Sequence, residues 1–300
     1  MRNYRIITDS ASDLTREQRR DNRIGMAPQY ITLDGKTYQR DTVDISRDGL
    51  YAWMVENPDR FPQTSMQTVA DFEDLFSQAG DAGEDVLYIS LSGTLSGSCE
   101  TARMAAGMVM ESYPGMDIRV VDSRLVTVLE GLLVLEACRL RDAGVSLDDA
   151  ERELTRIRGT GRIFFSIKDL EYLRHGGRIG KLAGVAGSLL GIRPVVGFRD
   201  GELSNEGLVR SRGKSMERVE QQFYAHIREH YTSPEEYIPA VGYGFDKEEG
   251  EMLRERVAEG LRQMGHGQSL PLYAIGSLIA IHAGPYPIGL GVLGRAKIEK

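Results

Sequence analysis

"VLYISLSGTLSGSCETA" (86–102) is the stretch that decides the fold class. Its apolar run "VLYI" ends in Ser90 and Ser92, turns through Gly93, and passes into small and polar residues from Ser96 onward. An apolar run bounded by turn residues reads as a buried strand, and the pattern over 96–112 reads as a helix. The same unit recurs, with "YRIIT" (4–8), "IRVV" (118–121) and "RIFFS" (162–166) as strands and helical patterns near 68–79, 125–143 and 146–158. This alternation predicts an α/β fold whose N-terminal domain, 1–165, holds a mostly parallel sheet with helices on both faces. "YITLDGKTY", turning on Asp34-Gly35, predicts a β-hairpin insertion near 26–40.

Beyond 165 the rhythm changes. "RPVVGF" (193–198) leads through a turn at Asp200-Gly201 into "ELSNEGLVRSR" (202–212). A helix near 214–230, a strand at 237–243, a helix at 246–263 and apolar segments at 270–282 and 287–293 follow. These describe a C-terminal α+β domain, 166–300, with a mixed or antiparallel sheet.

The chain has 300 residues, 41% hydrophobic and 27% charged, which is the composition of a globular protein. A net charge of −7 excludes the basic footprint of a nucleic-acid binder and weighs against adhesion to anionic membranes. "MRNYRIITDS" (1–10) lacks a secretory-signal pattern, and no apolar run suits stable membrane insertion. Cys99 and Cys138 lie in helical patterns and read as buried free thiols of a cytoplasmic protein.

Several motifs fail on inspection. Gly180-Lys181 is followed by Leu182, not Ser or Thr, so a nucleotide phosphate loop is excluded. "GLGVLG" (289–294) matches a dinucleotide fingerprint in letters, but only six residues follow it; its glycines read as sites of close backbone approach. There is no G-x-S-x-G elbow. His226 and His230 have metal-ligand spacing without a third ligand, and read as a solvated helix face.

Three clusters remain. In "PQTSMQTVADF" (62–72), Thr64 and Ser65 precede a helix that Thr68 caps, with Asp71 at its third position. Ser96-Gly97-Ser98 open another helix. Hydroxyls and free amides at two helix starts make a neutral anion cradle, although ordinary capping accounts for each separately. The third cluster is basic: "LEYLRHGGRIGKLAG" (170–184) carries Arg174, His175, Arg178 and Lys181 among four glycines. Arg210, Arg212 and Lys214 alternate, and would share one face of an extended "LVRSRGK" (208–214). His282 stands alone in apolar surroundings before "AGPYP". Small residues in "LAGVAGSLLG" (182–191) suit either an apolar tunnel or ordinary helix packing.

In order along the chain, "DSASDL" (9–14), "QTSMQT" (63–68), "LSGTLSGS" (91–98), "VDS" (121–123), "DLEYLRHGGRIGKLAG" (169–184), "RPVVGFRDGEL" (193–203) with "VRSRGKS" (209–215), and "HAGPYPIGLG" (282–291) resemble the DegV family. This fatty-acid-binding group includes the binding subunits of bacterial fatty acid kinase. The resemblance implies two α/β domains with a long-chain, palmitate-like fatty acid buried between them. Its carboxylate would meet Thr64 and Ser96, with Ser65 and Gly97 beside them. Arg174, Arg178, Arg210 and His282 would support the headgroup and a phosphoryl transfer performed by a separate ATP-using kinase subunit. "TSMQT" replaces the family's T-S-Q-P-S, and Ser96-Gly97-Ser98 its S-G-T; both keep their hydroxyls. With no nucleotide loop, metal cluster or nucleophile–base pair, the expectation is a carrier without cofactor or metal, not a catalyst. The alternative is a stand-alone enzyme on a small phosphorylated or carboxylated metabolite, with His282 as acid and base.

Overall fold

Two sheets meet across one helix. A computed structural model describes residues 3–185, 192–267 and 269–298. The first sheet runs Ile24–Ala27, Tyr4–Asp9, Asp85–Ser90, Ile118–Asp122, with every pair parallel. Its strands are apolar almost throughout because helices cover both faces.

The second sheet has six strands in the order Glu202–Val209, Arg193–Arg199, Arg162–Ser166, Ile288–Gly294, Tyr237–Tyr243, Leu272–Ala274. Its neighbours are antiparallel except the last pair. Arg162–Ser166, expected in the parallel sheet, is thus an inner strand of the mixed one. A division at 165/166 would cut that strand. The apolar run "RIFFS" suits either sheet, and only its distant partners settle the matter.

A third, small sheet pairs Tyr30–Thr32 with Gln39–Arg40 on one side and Gln63–Ser65 on the other. Its hairpin turns at Asp34-Gly35, where Asp34 accepts from the amides of Lys36 and Thr37 at 2.8 and 2.7 Å. The hairpin begins at Tyr30, not 26, because Met26 and Ala27 belong to the first sheet.

Between the large sheets lies the helix Thr127–Asp142, with twelve of its sixteen residues buried. It packs on Tyr4–Asp9 and Asp85–Ser90 from one side and on Ile288–Gly294 and Tyr237–Tyr243 from the other. A helix apolar all round must be covered all round, and "VLEGLLVLEACRL" (128–140) is such a sequence. A Cβ on Gly291 would stand 2.8 Å from Leu129 Cδ2, so that glycine sets how closely helix and strand approach. The "GLGVLG" letters are therefore an inner strand, Ile288–Gly294.

Thr68 caps Val69–Asp81 in a full capping box with Asp71. "LVRSRGK" is not extended: the strand stops at Val209, Ser211 caps, and a helix starts at Arg212. Arg210, Arg212 and Lys214 therefore do not share a strand face; Ser211 is a better helix cap than strand residue. Arg212 instead pairs with Glu249 and donates to the carbonyl of Tyr286 at 3.1 Å. Four helices were not read from sequence, Arg16–Asp21, Arg47–Glu56, Glu171–His175 and Ser277–Ala283, and the last carries His282.

Candidate functional site

A cavity of about 1240 Å³, counted out to its mouth, opens between the two large sheets. Its floor is one face of the mixed sheet. Register puts Leu203, Phe198, Ile163, Gly291 and Ala240 in a single row across five strands. Side chains are large on the first three strands and small at Gly291 and Ala240, so the floor falls away over those last two strands. Leu129, Leu278 and Ile279 line the cavity across from it, and the walls are apolar for most of their extent.

Polar groups converge at one part of the wall. Thr64 is the middle residue of the small sheet's edge strand Gln63–Ser65, and its Oγ1 lies 3.1 Å from His282 Nε2. Ser96 and Gly97 precede the helix Ser98–Ser112. Ser96 Oγ sits 2.9 Å from Ser98 Oγ and accepts from the Ser98 amide at 3.2 Å. Ser98 in turn donates to Gln67 Oε1 at 2.8 Å, and Gln67 Nε2 donates to the carbonyl of Ala27 at 2.7 Å. That chain ties the helix start to the edge of the parallel sheet. Ser65 lines the mouth, on the opposite strand face from Thr64.

Arg178 supplies the charge. Its Nε donates to the carbonyl of Leu95 at 3.1 Å and its Nη1 to that of Gly176 at 2.7 Å. Both bonds fix the guanidinium without neutralising it. Burial, and then the Arg178 charge, push the His282 imidazole down to about 4, so it is neutral at physiological pH. Its Nδ1 faces Gly176 and has no partner among the described residues. A Cβ on Gly176 would fall 2.1 Å from that nitrogen, so only glycine admits the ring here. Phe61 stacks on His175 at 3.6 Å between centroids and meets Tyr172 edge-on at 5.1 Å, pinning this segment to the strand that bears Thr64.

Six of the expected site residues, Thr64, Ser65, Ser96, Gly97, Arg178 and His282, therefore line one cavity. Two do not. Arg174 is half-exposed and ion-paired with Glu171 at 2.6 Å, because its helix turns it outward. Arg210 is exposed at the end of Glu202–Val209 and is absent from the wall. Residues 186–191 of the small-residue stretch lie outside the described residues.

Sequence reasoning missed Thr127 and Gln29, both in the cavity wall. Thr127 has φ 52°, a strained value for a β-branched residue, and donates from Oγ1 to Asp13 Oδ2. Burial pushes that Asp13 carboxyl up to about 7, and the nearby Asp41 carboxyl up to about 6. The only signal for Gln29 is one polar letter in "MAPQYIT" (26–32).

His226 is buried at 9% exposure, contrary to the solvated face expected for it, and stacks on His230 at 4.1 Å. Phe164 and Tyr231 close around it, because this helix face lies on the mixed sheet. Cys99 and Cys138 are free and buried, and burial pushes both thiols up to about 11. Among the described residues there is no His/Cys/Asp/Glu group able to hold a metal, and no helix long and apolar enough to cross a membrane.

A family model described as "Uncharacterised protein, DegV family" matches residues 3–295. A DegV domain-containing protein of Deinococcus radiodurans is 31% identical over 287 residues, 96% of this chain and 97% of its own. The crystal structure of a fat acid (stearic acid)-binding protein from Eubacterium ventriosum is similar with a TM-score of 0.91 and 37% identity, covering 97% of this chain and 98% of that one. A structure from Thermus thermophilus, described as fatty acid binding of a DegV family protein, has a TM-score of 0.85 at 29% identity, over 98% and 100% of the two chains.

Proposed function

The chain belongs to the DegV family, and we propose that it is a lipid carrier that holds a long-chain fatty acid in this cavity, carboxylate toward Thr64 and Ser96. The observation that carries the reading is an apolar space whose polar groups gather in one patch beside a fixed cation. A chain of about sixteen carbons, at roughly 0.8 kcal/mol per CH₂, contributes on the order of 12 kcal/mol on burial. A buried carboxylate opposes this unless it is hydrogen-bonded. Thr64 and Ser96 supply donors, and Arg178 favours the ionised form. The stearic-acid-binding and fatty-acid-binding relatives support the ligand class.

We further propose that a separate ATP-using kinase subunit phosphorylates the presented acid in the cytoplasm, with Arg178 and His282 nearest the transferred group. Arg174 and Arg210, outside the cavity, would meet that partner. In this reading residues 1–165 and 166–300 are two domains with the lipid between them, sharing the strand Arg162–Ser166.

Denaturing mass spectrometry of the purified protein tests the carrier reading, with co-purified long-chain acid as the expected result. A lipid-free protein that ignores long-chain acids and turns over a soluble carboxylated or phosphorylated metabolite would instead make His282 a general acid and base.

A further inference from the structure

Gln29 lines the cavity at 2% exposure. Its backbone carbonyl accepts from the Asp41 amide at 2.8 Å. Its Oε1 accepts from Ser10 Oγ at 2.8 Å, and its own amide N–H donates to the same Oγ at 3.2 Å. These bonds orient the side-chain amide with the oxygen committed to Ser10. Nε2 is left with two N–H donors and no acceptor among the described residues. Buried donors are almost always paired, and leaving one unpaired in an apolar wall is unfavourable.

Strand register locates this donor relative to the polar patch. Tyr30 pairs with Ser65 and Ile31 with Thr64. Continued by one residue, the register sets Gln29 across from Met66, on the face that Ile31 and Thr64 share. Diagonal neighbours on such a face stand about 7–8 Å apart. A side chain as long as glutamine, starting there, reaches a ligand a few bonds from a carboxylate held at Thr64. An unsubstituted fatty acid offers only methylenes at that distance, which accept nothing.

We propose that Gln29 makes the cavity selective for a long-chain acid that carries a hydroxyl within three carbons of its carboxyl group. The hydroxyl oxygen accepts from Nε2 and relieves the unpaired donor. This rests on the fatty-acid reading and narrows its ligand class.

The test is displacement of a fluorescent fatty acid from the delipidated full chain by palmitate, 2-hydroxypalmitate and 3-hydroxypalmitate. At least one hydroxy acid is expected to bind about tenfold more tightly than palmitate, the fold-change one added hydrogen bond gives. Gln29→Leu should abolish that preference, bringing the hydroxy acids to palmitate's affinity; Gln29→Met, which keeps the length and loses the donor, serves if the leucine variant fails to fold. Equal affinities for all three lipids in the unaltered protein overturn the proposal. So does an equal loss for all three in the variant, which would make Gln29 a carboxylate ligand. If palmitate and both hydroxy acids all fail to bind, the fatty-acid reading falls with it.

Discussion

His282 and His226 have nearly the same titration and quite different surroundings. Burial pushes both down to about 4. His226 is closed in by His230, Phe164 and Tyr231, with nowhere for a ligand to stand. His282 borders open space and shares it with Thr64, Ser96 and Arg178. A shifted histidine is therefore no sign of a site by itself; the convergence of several polar groups on one cavity is.

The largest test of that contrast is the double change Thr64→Ala with Ser96→Ala. Two charge-assisted bonds are lost, and palmitate affinity should fall about a hundredfold by displacement titration. His226→Phe should leave affinity unchanged. Gly176→Ala forces the His282 ring aside, and a drop of about tenfold in affinity, with a lower melting temperature, is expected.

Protonation separates the two rings further. An unfolded histidine titrates near 6.5. As pH falls below that value the unfolded chain takes up protons that the folded rings refuse. Their contribution to stability is thus complete above about pH 6.5 and is lost down to about pH 4. Asp13 and Asp41 run the opposite way, since their raised carboxyls hold protons in the folded state and add stability as pH falls from about 7 toward 4. His226→Phe should therefore flatten the acid side of a melting curve followed against pH. Bound palmitate should raise the titration midpoint of His282 alone, because only that ring would face a carboxylate; ring-proton NMR resolves the two. Smallest of all, Arg174→Ala and Arg210→Ala should change stability by less than about 0.5 kcal/mol and leave lipid affinity intact.

Local chemistry was readable from the chain. Three of the four parallel strands announce themselves as apolar runs, Ile24–Ala27 being the exception, and Thr68 with Asp71 caps its helix as the spacing requires. Long-range pairing was not. Nothing in "RIFFS" says which sheet it joins, and Ser211 broke an alternation that pattern alone would continue. The meeting of Thr64, Ser96, Arg178 and His282 is likewise non-local, and came from resemblance, not periodicity. Gln29 was invisible because its meaning lies in an unpaired buried donor, which residue letters do not record.

The helix Thr127–Asp142 has a consequence for how the molecule is made. It leaves the ribosome well before Tyr237–Tyr243 and Ile288–Gly294, which cover one side of it. Until nearly the whole chain has emerged, a greasy rod lies bare on one side, an invitation to chaperones and to self-association. Clipping the chain before residue 288 would remove an inner strand as well as that cover, and the product should be recovered from inclusion bodies.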